Sequence, residues 1–324
     1  MVVLTAQKIG DGFVERILLV GATGFIGQAL VQKLAGPERE LVLLTRRPED
    51  ARLRGAWPRG VRLLGWDGRS PGPWLQELDG ARALVNLAGH RIAAFRWTGA
   101  HRRRVRESRL RTTELLLEAM ARVTRPPEVF LSASAVGYYG DRGEEQLTEA
   151  SPSGTGFLAE LARQWEDQAR EAERLGVRVL LARIGVVLDR AGGLLRQLLP
   201  LYRLGLGGRL GSGRQWMAWI HRQDVARALA FLLERPDASG PWNVVSPHPV
   251  RQACFARELA RLLRRPTWGH LPAWMLRWLL GSKQAQELLL ASTRALPARL
   301  QAAGFRFRYP DLPSALRAAM GEAP

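Results

Sequence analysis

Seven residues near the N-terminus constrain the fold more than any other stretch. Gly21-Ala22-Thr23-Gly24-Phe25-Ile26-Gly27 follows directly on the apolar run Arg16-Ile17-Leu18-Leu19-Val20 and precedes Leu30, Val31 and Leu34 at helical spacing. A buried strand, a tight glycine turn and a helix in that order open a βαβ unit. A lone glycine pattern says little. In this context it demands a parallel sheet whose faces are both covered by helices.

The rest of the chain keeps that rhythm. Short apolar runs at residues 41–44, 61–64, 83–87, 129–132 and 177–181 read as further strands. Helical patterns at about 98–123 and 157–175 lie among them. The expectation is an α/β, Rossmann-like doubly wound parallel sheet. After Val187 glycines cluster, a helix is expected over about 222–233, and 242–245 reads as one more strand. From Val250 the pattern is mostly helical. At roughly 100–200 residues per domain, 324 residues give one large domain or two. We divide them into an N-terminal extension (1–15), a dinucleotide-binding domain (16–246) and a smaller, mostly helical C-terminal domain (247–324) on the substrate side.

The glycine spacing has a chemical reading. The first glycine permits the turn, the second lets the backbone approach a pyrophosphate, and the third lets helix and strand pack closely. The phosphates then rest on amides at the helix N-terminus. Gly21, Thr23, Gly24, Phe25, Ile26 and Gly27 are therefore candidate cofactor contacts. The second strand ends Leu44-Thr45-Arg46-Arg47-Pro48, with no carboxylate before Glu49. An acid there would suit a ribose hydroxyl, whereas a guanidinium pairs with a 2′-phosphate. Arg46 and Arg47 thus predict NADP(H) in preference to NAD(H).

Together with Asn86-Leu87-Ala88-Gly89, Glu107-Ser108-Arg109 and Ser132-Ala133-Ser134-Ala135-Val136-Gly137-Tyr138-Tyr139-Gly140-Asp141, this loop resembles the extended short-chain dehydrogenase/reductase superfamily. Arg183-Ile184-Gly185-Val186-Val187-Leu188, Gly211-Ser212-Gly213-Arg214-Gln215, Trp219-Ile220-His221 and Leu296-Pro297-Ala298-Arg299-Leu300 narrow the match. They look like the atypical group called epimerase family proteins, NAD-dependent epimerase/dehydratase-like chains with a C-terminal domain of unassigned function. The resemblance covers about residues 16–319. It implies Thr45 and Arg46 at the adenosine ribose-phosphate, Leu87 and Ala88 over the cofactor, Arg109 in contact with it, and Val187 near the nicotinamide. It also implies dimerisation through two long helices.

One part of the superfamily pattern is missing. Its catalysis uses a Y-x-x-x-K pair, in which the lysine and the cofactor lower the tyrosine pKa for proton transfer. The matching segment is Gly156-Phe157-Leu158-Ala159-Glu160-Leu161-Ala162. One register aligns Phe157 and Leu161 with the pair, the other Leu158 and Ala162, and neither register supplies a proton donor. Ser134 stands at the position the resemblance gives to the catalytic serine. Tyr138 and Tyr139 follow, and either one replaces the missing acid/base or both pack the strand end. Without a lysine neighbour their pKa stays near ~10. Asp224, after His221, is expected to cap the following helix.

Composition bears on partners. There are 48 basic and 30 acidic residues, a net charge of +18, and all the basic residues except Lys8, Lys33 and Lys283 are arginine. Such charge raises nucleic acid or an anionic membrane as partners. The densest run, Arg102 to Arg111, wraps around its helix and has no nucleic-acid motif beside it, so no specific nucleic-acid partner is expected. No stretch suits a membrane span, the first residues do not read as a secretory signal, and a cytoplasmic location is the default. A single cysteine excludes a disulfide scaffold and a cysteine-rich zinc site, and no metal is expected. The apolar run 273–280 reads first as a core helix, or else as a pocket wall or partner surface. Two functions stay open. One is an NADP(H)-dependent oxidoreductase or epimerase acting on a small, sugar-like substrate. The other is a non-catalytic NADP(H)-binding sensor or partner-binding module.

Overall fold

The computed structural model describes residues 15–50, 57–267 and 269–322; the expected extension falls almost wholly outside them. Seven strands form one sheet: β1 (Glu15–Val20), β2 (Arg39–Thr45), β3 (Val61–Gly65), β4 (Ala83–Asn86), β5 (Val129–Ala135), β6 (Arg178–Ile184) and β7 (Gly240–Val244). Their spatial order is β7-β6-β5-β4-β1-β2-β3, and every neighbouring pair is parallel. The chain reverses its winding between β1 and β4, so ligands are expected at the carboxyl ends of the strands near that point.

The apolar runs are continuous because both faces are covered. On one face Ile17, Leu19, Leu41 and Val85 pack with Leu30 and Leu34 of α1 (Phe25–Leu34). On the other, Leu18, Val20, Val42 and Leu84 pack with Leu115, Leu116 and Met120 of α2 (Gly99–Arg122). Helix α3 (Phe157–Arg170) lies beside α2 and buries Trp165 and Ala169. Glu171–Leu175 continues it as a 3-10 turn to the expected end at residue 175.

Beyond the sheet, Val186–Asp189 pairs in parallel with Trp219–His221. Around this pair, α4 (Gly193–Arg203), α5 (Arg222–Glu234), α6 (Gln252–Leu262) and α8 (Leu312–Met320) complete the helical layer. Leu195, Trp219, Phe255, Leu259 and Leu316 form a core of their own. Two short parallel pairs stitch the C-terminal region to the rest: Gly208–Leu210 with Gly269–Leu271, and Gln146–Leu147 with Arg294–Ala295.

Helix α7 (Ala273–Leu280) departs from expectation. It buries only Leu276, and Trp274 and Trp278 stand in solvent, so it is not a core helix.

Candidate functional site

The loop between β1 and α1 is as tight as its glycines require. Gly21 has φ +78°, and a β-carbon there would lie 2.6 Å from the carbonyl carbon of Leu87. At Gly27 a β-carbon would meet the Gly21 carbonyl oxygen at 2.5 Å. Thr23, Gly24, Phe25 and Ile26 complete the turn, and no side chain caps the first turn of α1. Its leading amides are thus left for an anion. Leu87 and Ala88 face the loop across the gap from the end of β4, the Ala88 amide donating to Asn86 Oδ1 at 3.1 Å.

Cations line one side of this cleft. Thr45 ends β2, its hydroxyl accepting from the Arg47 amide at 3.3 Å, and Arg46 and Arg47 are exposed. Arg109, on α2, is 9% exposed. Its guanidinium donates to the carbonyls of Val105 and His90 at 3.0 and 3.2 Å and lies over the Trp165 ring. Burial pushes its pKa down to about 10, and among the described residues it has no carboxylate partner. His90 is held below its ordinary value by burial and then by the charges of His101, Arg104, Arg109 and Arg46. That set of neighbours shows how closely the arginines converge. A buried cation without a counter-ion is costly unless a ligand supplies one.

Next to the cleft, at the ends of β5 and β6, lies a cavity of about 310 Å3. Ala135, Val136, Ile184 and Gly185 come from the strand ends. Leu158, Leu161, Ala162 and Trp165 come from α3, and Leu198, Phe255, Leu288 and Leu289 close it. Leu158, Leu161 and Ala162 thus all reach the cavity, while Phe157 meets the Trp97 ring edge to face at 5.4 Å.

Each polar side chain of the lining is already bonded to protein. Arg109 is described above. Trp165 Nε1 donates to Thr113 Oγ1, Trp216 Nε1 to Glu144, and the Thr293 hydroxyl to the Gly140 carbonyl. Gln215 donates to the carbonyls of Leu210 and Leu289. Gln252 bridges the Leu210 amide and the Gly208 carbonyl. Glu287 accepts from the amides of Phe157 and Leu158 at 3.0 and 2.8 Å, capping α3.

The three catalytic candidates do not line this cavity. Strand side chains alternate, so Ser132 and Ser134 share one face of β5 and Ala135 takes the other. Ala135 reaches the cavity, whereas Ser134 is buried and donates to Glu166 Oε1 at 2.6 Å. Glu166 in turn holds Arg183 through two contacts of 2.8 Å. Burial would lower the Arg183 pKa, and the bonds and charge of Glu166 outweigh it and raise it. Tyr139 is fully buried. Its hydroxyl accepts from Arg183 at 3.0 Å and donates to Asn243 Oδ1 at 2.7 Å. Burial pushes its pKa up to about 12, far from any acid/base role near neutrality. The Tyr138 ring lies under the Arg183 guanidinium at 3.6 Å.

Ser134 and Tyr139 thus belong to a buried polar network behind the cavity wall, and half-buried Tyr138 packs its ring against the Arg183 of that network. The sequence signal for it is Arg183, a charge inside the buried strand Arg178–Ile184, which requires a partner. Val187 is buried one residue beyond cavity-lining Val186.

Asp224 is also corrected. The cap of α5 is His221, whose Nδ1 accepts from the Gln223 amide at 3.2 Å. Asp224, fully buried, accepts from the amides of Arg308 and Tyr309 and ties down the C-terminal segment.

A larger groove, about 940 Å3, runs between α1 and α5 and residues 306–308. It contains no residue from the ends of β1, β4, β5 or β6, so it is not the candidate site.

Residues 17–245 match the NAD dependent epimerase/dehydratase family, and residues 271–319 match a domain of unknown function. An epimerase family protein of Mycobacterium bovis is 40% identical over 300 residues, 93% of this chain and 96% of that one. An Arabidopsis thaliana chloroplastic homolog of epimerase family protein SDR39U1 is 36% identical, covering 99% of this chain and 90% of its own. The crystal structure of human SDR39U1 with NADPH is 33% identical, with a TM-score of 0.82 over 95% of this chain and 100% of that one.

Proposed function

Because the chain belongs to the NAD-dependent epimerase/dehydratase family, we propose that it binds NADP(H) in the β1–α1 cleft and acts as an oxidoreductase on an apolar molecule in the adjoining cavity. One observation carries this reading: the cavity abuts the cleft through Arg109, and the other polar side chains of its lining are each bonded to protein. A sugar needs several unspent donors and acceptors, and leaving buried polar groups unmatched is costly. The apolar walls therefore favour a hydrocarbon-rich ligand over the sugar-like substrate that the family name suggests.

The residues present fit the cofactor. The glycine loop leaves room for a pyrophosphate, and Arg46, Arg47 and Arg109 supply positive charge. That NADPH is bound in the human relative supports the phosphorylated form for this chain. When bound, the dinucleotide supplies a hydride-exchanging ring. The chain's residues orient it and exclude water with Ala135 and with Leu158, Leu161 and Ala162, from the segment where the superfamily's Tyr/Lys pair is expected. No side chain at these positions offers a proton, so the proton that completes the reduction comes from solvent.

The same observation keeps a second reading in view, a non-catalytic NADP(H)-binding sensor whose cavity holds a signal. Two panels separate them, one of apolar ketones and enones and one of nucleotide sugars, with NADPH consumption followed by absorbance. Turnover confined to the apolar panel agrees with the oxidoreductase. Tight apolar binding without turnover favours the sensor, and turnover of nucleotide sugars contradicts both.

A further inference from the structure

The strongly exposed large apolar side chains gather at one place. Among the described residues they are Phe95, then Leu201, Leu204 and Leu206, then Leu271, Trp274, Trp278 and Leu279. Their segments touch. The strand ending at Leu271 pairs with Gly208–Leu210, and Gly205 lies against Pro266. Arg96, beside Phe95, donates to the carbonyls of Trp278 and Leu279 at 2.7 and 3.0 Å. Trp274 and Trp278, 68% and 72% exposed, are four residues apart and share one face of α7. A contiguous exposed patch of this kind marks an interaction surface.

Its charge identifies the partner. No Asp or Glu occurs from Arg190 to Gln223, nor from Leu259 to Gln286. Arg203, Arg209, Arg264, Arg265, Arg277 and Lys283 are exposed in these stretches. Among the described residues none of the six is held by a carboxylate. Aromatic side chains ringed by unpaired cations match an anionic lipid surface, where indole rings sit at headgroup level and cations meet phosphate. A second copy of the chain would set cation against cation.

We propose that this face docks on anionic bilayers as a peripheral surface, with Trp274 and Trp278 as its anchors. A second pocket, about 480 Å3, shares Leu158, Glu287 and Thr293 with the cavity and is lined also by Arg277 and Lys283, so it adjoins both the cavity and the edge of the docking face.

Co-sedimentation of the full chain with vesicles tests this, using phosphatidylcholine alone and phosphatidylcholine mixed with phosphatidylglycerol. The expected result is binding to the anionic vesicles stronger by roughly tenfold or more, weakening with salt. The double variant Trp274→Ser/Trp278→Ser should lose it while thermal unfolding and NADPH binding stay unchanged. Absence of binding to anionic vesicles overturns the proposal. So does binding that the double variant retains, or a solution dimer that the same substitutions dissociate.

Discussion

Arg109 and Arg183 show how a residue's surroundings decide its use. Both guanidinium groups are buried. Arg183 meets Glu166 in a two-pronged pair whose side chains are each 3% exposed. Removing one member of such a pair strands the other charge. Glu166→Ala should therefore cost about 3–5 kcal/mol in urea unfolding. A loss below about 1 kcal/mol would show that Arg183 does not depend on it. Among the described residues Arg109 has no such partner, and it waits for a ligand anion. Gly21 is constrained differently, by its positive φ and by the Leu87 backbone at 2.6 Å from any added β-carbon. Gly21→Ala should weaken NADPH binding by roughly tenfold or more and cost about 1–3 kcal/mol of stability. Unchanged calorimetric affinity would remove the loop from the site. The tight glycine turn was legible because its chemistry is local. The fate of Ser134 was not, since it depends on Glu166, 32 residues away.

Elements were easier to read than their faces. The run 16–20 became Glu15–Val20, and the pattern at 98–123 became Gly99–Arg122, because apolar spacing reflects burial directly. A shift of one residue decides which side chain meets the cavity, and spacing alone does not fix that. Hence Ala135 lines the cavity and Ser134 does not, and Leu158, Leu161 and Ala162 line it while Phe157 does not. The start of α5 offers a test at this scale. Burial holds His221 below its ordinary value, and Asp224 and Asp189 oppose this only in part. The folded state therefore prefers the neutral ring. The associated stability is complete above the unfolded-state value of ~6.5 and is lost as pH falls below it. His221→Asn keeps a capping acceptor and removes the titration. Wild-type urea midpoints should fall more steeply than the variant's between about pH 7 and pH 5. Parallel curves would show that His221 does not carry the pH dependence.

The whole molecule distributes its charge of +18 unevenly. Many arginines sit in surface pairs, such as Arg163 with Glu160 and Asp167, which contribute little to stability. A second group converges near His90, and a third borders the tryptophans of α7. No helix among the described residues is long and apolar enough to cross a membrane. The third group was present in the sequence but not legible as a surface. A helix apolar all round is normally buried, and only the fold shows that no described residue covers Trp274 and Trp278. The central claim concerns the second group, that the arginines at the end of β2 and on α2 make this cleft a site for NADP(H). Titration calorimetry of NADPH and NADH against the wild type and Arg46→Ala tests it most directly. The account predicts NADPH tighter by roughly tenfold or more, with most of that margin lost in Arg46→Ala. Equal affinities in the wild type, or tighter NADH, would contradict it.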